Sequence, residues 1–236
     1  MAFRVGEAFV GSGYSFLPTR SARLDVVTGA GSAPLPARAG DSPAVTVGGL
    51  PEGLVAIVHE TTESDLTWTD KPDRTGWERF VTFAEHKDAA EAVAAHEAAG
   101  LPREGVTEGY VRYAKALLGV GDAAGADRAT GLRTEIVALA NPYTDDLSGG
   151  LPVRVLLDGA PRAGAQVELF AQAPDGTVTV TTHPADGEGV AVLPVAAGHV
   201  YLADSVAFEE GPGFGGSEGP MWRTLWAALT FAVPAD

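Results

Sequence analysis

VRVLLDGAPRAGAQVELF, residues 153–170, is the stretch whose reading decides the fold. Two apolar runs flank a turn of Asp, Gly, Pro and Gly. Residues 153–157 and 165–170 read as adjacent strands joined around Asp158-Gly159. Gly164 falls where the backbone needs freedom or close approach. Val167 and Leu169 point one way, and Gln166, Glu168 and Phe170 the other. This is the pattern of a half-buried sheet in a small sandwich.

The same pattern repeats on both sides of the quoted stretch. Further strands are expected at 134–139, 177–182, 190–193, 200–208 and 225–233. Seven short strands within about a hundred residues, with turns between them, predict a β-sandwich. Upstream, residues 109–119 (GYVRYAKALLG) form a strand with Tyr113, Lys115 and Leu117 on one face. LVAIVH, residues 54–59, is a continuous apolar run that suits a strand covered on both faces. Shorter runs near Phe3 and Val5, at Leu24, Val26 and Val27, and at Val45 and Val47 complete a β-rich front half.

One segment has another period. Trp77, Phe80, Val81 and Ala84 follow i, i+3, i+4, i+7, the stripe of an amphipathic helix. Thr75 and Glu78 have the spacing of a capping box. An Ala-rich stretch from Asp88 stops at Gly100 and Pro102. Residues 75–99 are therefore a helical insertion of one or two helices. GDAAGADRATG, residues 121–131, is small and polar and reads as a linker. The expected division is a β-rich domain over 1–121, a linker over 122–132 and a second β-sandwich over 133–236. The fold class is mainly β, with two sandwich-like domains.

The 236 residues carry a formal charge of −15 and no cysteine. That field repels nucleic acid and anionic headgroups and attracts cations. Without cysteine there is no disulfide framework, thiolate metal site or cysteine nucleophile. No run reaches the ~18 apolar residues of a membrane span. The opening MAFRVGEAFVG lacks the basic and apolar regions of a secretory leader. Taken as the true start, Met1 would make the protein cytoplasmic.

Catalytic signatures are not apparent. No serine lies in a G-x-S-x-G elbow, and His59-Glu60 lacks the second histidine of a zinc-protease helix. GPGFGGSEGP, residues 211–220, has no lysine and reads as a mobile loop. No enzymatic activity and no required cofactor are expected. His86 and His96 read as solvated helix residues, about 15 Å apart along one axis. His59 ends a strand among acidic residues. His183 shares a turn with Asp186 and Glu188, and His199 precedes a strand that carries Asp204. Imidazole with carboxylate suits nickel, zinc or cobalt, so His183, His199 and His59 are the candidate metal ligands. Trp222 and Trp226, in MWRTLWAALTFAV, read as a core contact or as an aromatic platform for a sugar.

Several of these stretches together resemble one family. YAKALLGVG (113–121), GLRTEIVALANPY (131–143), LPVRVLLDGAPRAGAQVELF (151–170) and WRTLWAALTFAV (222–233) are similar to the domain of unknown function 4198 family. Its members are exported bacterial proteins described as periplasmic components associated with nickel or cobalt uptake. The resemblance implies a β-rich first domain with a helical insertion. It also implies a second domain of the transthyretin-like, carboxypeptidase-regulatory (Ig-like) type. It further implies a periplasmic, non-enzymatic binding or accessory protein, with a nickel or cobalt ion or a membrane transporter component as partner. The alternative is a structural or carbohydrate-binding sandwich without a metal role. This chain departs from the family by lacking its His-acidic-Phe-Trp stretch, and Val206 lies nearest the position of another family histidine.

Overall fold

The computed structural model describes residues 3–7 and 9–235, with the backbone alone for 3–7, 10 and 12. Among the described residues, fifteen strands and two α-helices are formed: β1 (Phe3–Glu7), β2 (Val10–Tyr14), β3 (Ser21–Thr28), β4 (Gly31–Pro34), β5 (Gly53–Thr61), β6 (Ser64–Thr67), α1 (Gly76–His86), α2 (Ala90–Ala98), β7 (Thr107–Val120), β8 (Thr134–Ala138), β9 (Leu151–Leu157), β10 (Ala160–Pro161), β11 (Gln166–Gln172), β12 (Val178–Pro184), β13 (Val190–Leu193), β14 (Val200–Glu210) and β15 (Trp222–Ala232). The protein is mainly β, with its sheets in a sandwich-like arrangement.

A nine-stranded sheet runs β12-β11-β14-β15-β7-β5-β3-β4, with β6 also paired to β7. A four-stranded sheet runs β10-β9-β13, with β8 on β9, and β1 and β2 pair separately. The stretch 153–170 therefore spans two sheets, whereas its two runs were expected to be neighbours. Asp158 and Gly159 make the tight turn, both at positive φ (51° and 78°). That combination suits a two-residue hairpin loop. The returning strand β10 pairs only Ala160 with Leu157 and Pro161 with Leu156. Proline has no N–H to extend a ladder. The chain then crosses to the other sheet, where Val167 and Leu169 of β11 are fully buried.

Strand β7 shows the clearest alternation. Val111, Tyr113, Lys115 and Leu117 are buried on one face, while the residues between them are half-buried. Strand β5 buries six consecutive residues, 53–58, as its unbroken apolar run requires. Beside it, Phe16, Leu24, Val45, Val55 and Ile57 form one hydrophobic cluster.

The helical insertion forms as two helices. Thr75 accepts from the Glu78 amide at 3.2 Å, and the Glu78 carboxylate accepts from the Thr75 amide at 2.8 Å. This is the capping box read from the sequence. Helix α1 buries Gly76, Phe80 and Ala84, and α2 buries Ala92 and His96. His96 was expected to be solvated. Its ring is fully buried in a cluster of aromatic side chains.

The chain divides into two compact units. One comprises Met1–Thr62, Arg112–Ser205 and Ala227–Asp236; the other comprises Glu63–Val111 and Val206–Trp226. This division does not follow the cut expected at 122–132. Most of that stretch is exposed, but it is anchored at three points: Ala123 and Leu132 are buried, and the Asp127 side chain is 2% exposed. Small polar residues serve here for close packing and internal hydrogen bonds. The nine-stranded sheet takes strands from both sides of it.

Candidate functional site

The three histidines read as metal ligands sit on separate elements. His183 aligns with Val167 near one end of β11. His199 precedes Val200, which aligns with Gln172 at the other end. Six residues of strand separate the two levels, roughly 20 Å. His59 lies on β5 and aligns with Ala114 of β7. Each ring engages its own surroundings. His59 Nε2 is 3.0 Å from Ser21 Oγ, and burial lowers the ring's pKa to about 4. His183 Nε2 is 2.8 Å from Thr181 Oγ1, and burial lowers its pKa too. His199 Nδ1 faces the Ala197 carbonyl at 3.0 Å, and its ring stacks on Tyr201. Among the described residues, no three His, Asp or Glu side chains come together as ligands for a metal ion.

Trp222 does not form an exposed platform. Its ring is 3% exposed, and its Nε1–H donates to His96 Nδ1 at 3.1 Å. His96 Nε2–H donates in turn to the Pro102 carbonyl at 3.1 Å. Both ring nitrogens are thus used in the neutral form, and burial lowers the pKa. Trp77 lies 4.7 Å from the His96 ring, centre to centre. Trp226 stacks on Phe83 at 5.6 Å and carries the Lys87 ammonium over its ring at 5.2 Å. These rings form the core of one unit, built on Phe80, Val106 and Trp222. The glycine-rich loop 211–220 belongs to the same unit. The Gly211 amide donates to the Met221 carbonyl at 2.8 Å, and Phe214 meets Trp222 edge to face. The loop is thus tied down, where a mobile one was expected. A Cβ at Gly211 would come within 2.2 Å of the Pro220 carbonyl oxygen, so only glycine fits there.

The most concentrated chemistry lies in the other unit, at Lys115, Asp127 and Glu135. All three side chains are at most 2% exposed. Lys115 Nζ is 2.8 Å from Asp127 Oδ2 and 3.0 Å from Glu135 Oε1, and it donates to the Arg128 carbonyl at 3.3 Å. Asp127 Oδ2 accepts from the Ala138 amide, and Oδ1 from the Arg128 amide, each at 2.8 Å. The Thr130 amide and hydroxyl both donate to Glu135 at 2.9 Å. Burial pushes the Asp127 carboxyl up from its ordinary pKa, against the pull of Lys115. Lys115 was legible only as sharing a strand face with Tyr113 and Leu117, a face that the structure buries. Asp127 was hidden in a stretch that reads as linker. Glu135 sits in β8, where all five residues are buried, so its signal was a lone charge in an apolar run.

A profile of the family described as "Domain of unknown function (DUF4198)" matches residues 2–207. The chain belongs to that family. No curated protein matches this DUF4198 chain. Among solved structures, a match is found to one titled "Crystal structure of tetra-tandem repeat in extending region of large adhesion protein", at 11% identity. The alignment covers 94% of this chain and 44% of that one, with a TM-score of 0.22. At that score the likeness carries no argument. No helix among the described residues is long and apolar enough to cross a membrane.

Proposed function

We propose that this DUF4198 chain is a non-enzymatic structural or accessory module of an exported setting. Its histidines, tryptophans and buried ions serve to hold the fold. One observation carries this reading: the Nδ1 lone pair of His96, which a metal would need, already accepts the Trp222 N–H. At His59, Nε2 is engaged by Ser21 Oγ at 3.0 Å. Buried polar groups that are fully paired rigidify a core.

A second reading is favoured by the charge of −15. It is weak divalent-cation binding at the surface, with His183 and Asp186 near the end of β12 as first candidates and His199 next. Without imposed geometry, affinity follows the general metal series and selectivity is low. Isothermal titration of nickel into chelator-treated protein tests both. Micromolar or weaker binding that is reduced in His183→Ala fits a surface role. Tight, stoichiometric nickel binding would overturn the structural reading.

A further inference from the structure

We propose that Lys115 and Asp127 condense to an intramolecular isopeptide bond, with Glu135 moving the protons. The amine and the carboxyl group are already held in direct contact. The nucleophile Nζ lies 2.8 Å from the carboxyl oxygen of Asp127, and Glu135 Oε1 lies 3.0 Å from the same nitrogen. Water is excluded, since none of the three side chains is more than 2% exposed. Holding two groups in contact converts a bimolecular amide synthesis into a unimolecular one.

The proton count closes. Nζ passes one proton to Asp127 Oδ2, which leaves an amine and a carboxylic acid. The nitrogen lone pair attacks Cγ, and the C–O π bond opens onto Oδ1. The Arg128 amide, 2.8 Å from Oδ1, donates to the negative charge that develops there. Glu135 takes a second proton from the nitrogen and returns it to the Oδ2 hydroxyl. That oxygen leaves as water, carrying both protons, and Oδ1 becomes the amide carbonyl. Three protons on Nζ become one on the amide and two on water. Glu135 ends as it began, a carboxylate held by Thr130. A cavity of about 110 Å³, lined in part by Leu117, Asp127 and Arg128, adjoins the site and can receive the water.

The energetics point the same way. One ammonium against two buried carboxylates leaves a net negative charge out of water. Buried ions are costly unless well paired. Condensation removes the Lys115–Asp127 charges and leaves one carboxylate with three donors. The product closes a loop between β7, in the nine-stranded sheet, and the crossover to β8, in the four-stranded sheet.

Mass spectrometry of the full chain, denatured before injection, tests this. The expected intact mass is the sequence mass less one water. In a tryptic digest, residues 113–128 are expected as one peptide, uncut after Lys115 and lighter by one water. Asp127→Asn is expected to lose one ammonia in its place. Lys115→Arg, Asp127→Ala and Glu135→Gln are expected at full mass. The wild-type result stands alone if a variant fails to fold. Full sequence mass with cleavage after Lys115 would overturn the proposal. So would a water loss mapped to another peptide, such as a succinimide at Asp158-Gly159. Water loss persisting in Glu135→Gln would overturn the role given to Glu135.

Discussion

Lys115 illustrates how one side chain can carry a structural decision. It occupies a buried position of β7 between Tyr113 and Leu117, where an apolar residue would be the simple choice. Replacing it with methionine keeps the stem and removes the nitrogen, so that neither the ion pair nor the amide can form and Asp127 and Glu135 are left facing each other uncompensated. Lys115→Met is expected to lose about 3–5 kcal/mol in urea denaturation. A loss near the ~1 kcal/mol of an exposed pair would show that the carboxylates find another partner. Histidine chemistry at this scale predicts a pH dependence. His59 titrates near 4 in the folded protein, and His96 is also lowered. The unfolded rings titrate near 6.5 and so bind more protons between those values. Stability is therefore complete above about pH 6.5 and falls as pH drops toward 4. For His59 the loss is up to about 3 kcal/mol, less what solvent screening removes from a half-buried ring. Denaturation at pH 7 and pH 5 is expected to show the fall, and His59→Leu to shrink it. An unchanged midpoint between the two pH values would contradict the assignment.

At the scale of elements, α1 depends on how its first turn is closed. Thr75→Ala removes one half of the capping box and is expected to cost about 1 kcal/mol. The next residue is more constrained. A Cβ on Gly76 would lie 2.1 Å from the Trp68 carbonyl oxygen, and the Gly76 amide donates to Asp70 at 2.7 Å. Gly76→Ala therefore forces helix and strand end apart, at about 1–3 kcal/mol or more. The two variants, compared by thermal melting, are expected to rank with Gly76→Ala the less stable. The reverse order would mean that the close approach relaxes freely. Both the cap and the helical stripe were legible because they depend on residues within a few positions of one another. The glycine's role was not, because its constraint comes from Trp68, eight residues back.

At the scale of the molecule, the second half of the chain does not own its sheet. Strand β15 lies beside β7 in the nine-stranded sheet. Glu135 of β8 draws its hydrogen-bond donor from Lys115 Nζ. A fragment covering 131–236 keeps β8–β15 but loses β7, Lys115 and Asp127. It bares the β7-facing edge of β15, a hazard for aggregation, and leaves a buried carboxylate without its Lys115 partner. We expect this fragment to unfold without a cooperative thermal transition, whereas a fragment beginning at β7 should be better behaved. A sharp, reversible transition for 131–236 would show that its own strands suffice for a core.

The sequence by itself determined what local pattern and composition can specify. Alternation marked the strands of the second half to within a few residues. The 3.6-residue stripe marked the helical insertion, and Asp158-Gly159 marked a tight turn. The motifs shared along the chain also pointed to the DUF4198 family. Only the tertiary structure decided how these elements pair and which polar groups meet. It placed β9 and β11 in different sheets, because strand period sets which face a residue takes but not which neighbour a strand takes. It buried His96 against Trp222 across 126 residues of sequence. It also brought Lys115, Asp127 and Glu135 together, from a strand, an apparent linker and a second strand. Each of those residues was unremarkable alone, since the free energy of a buried charge depends on the groups that surround it in space.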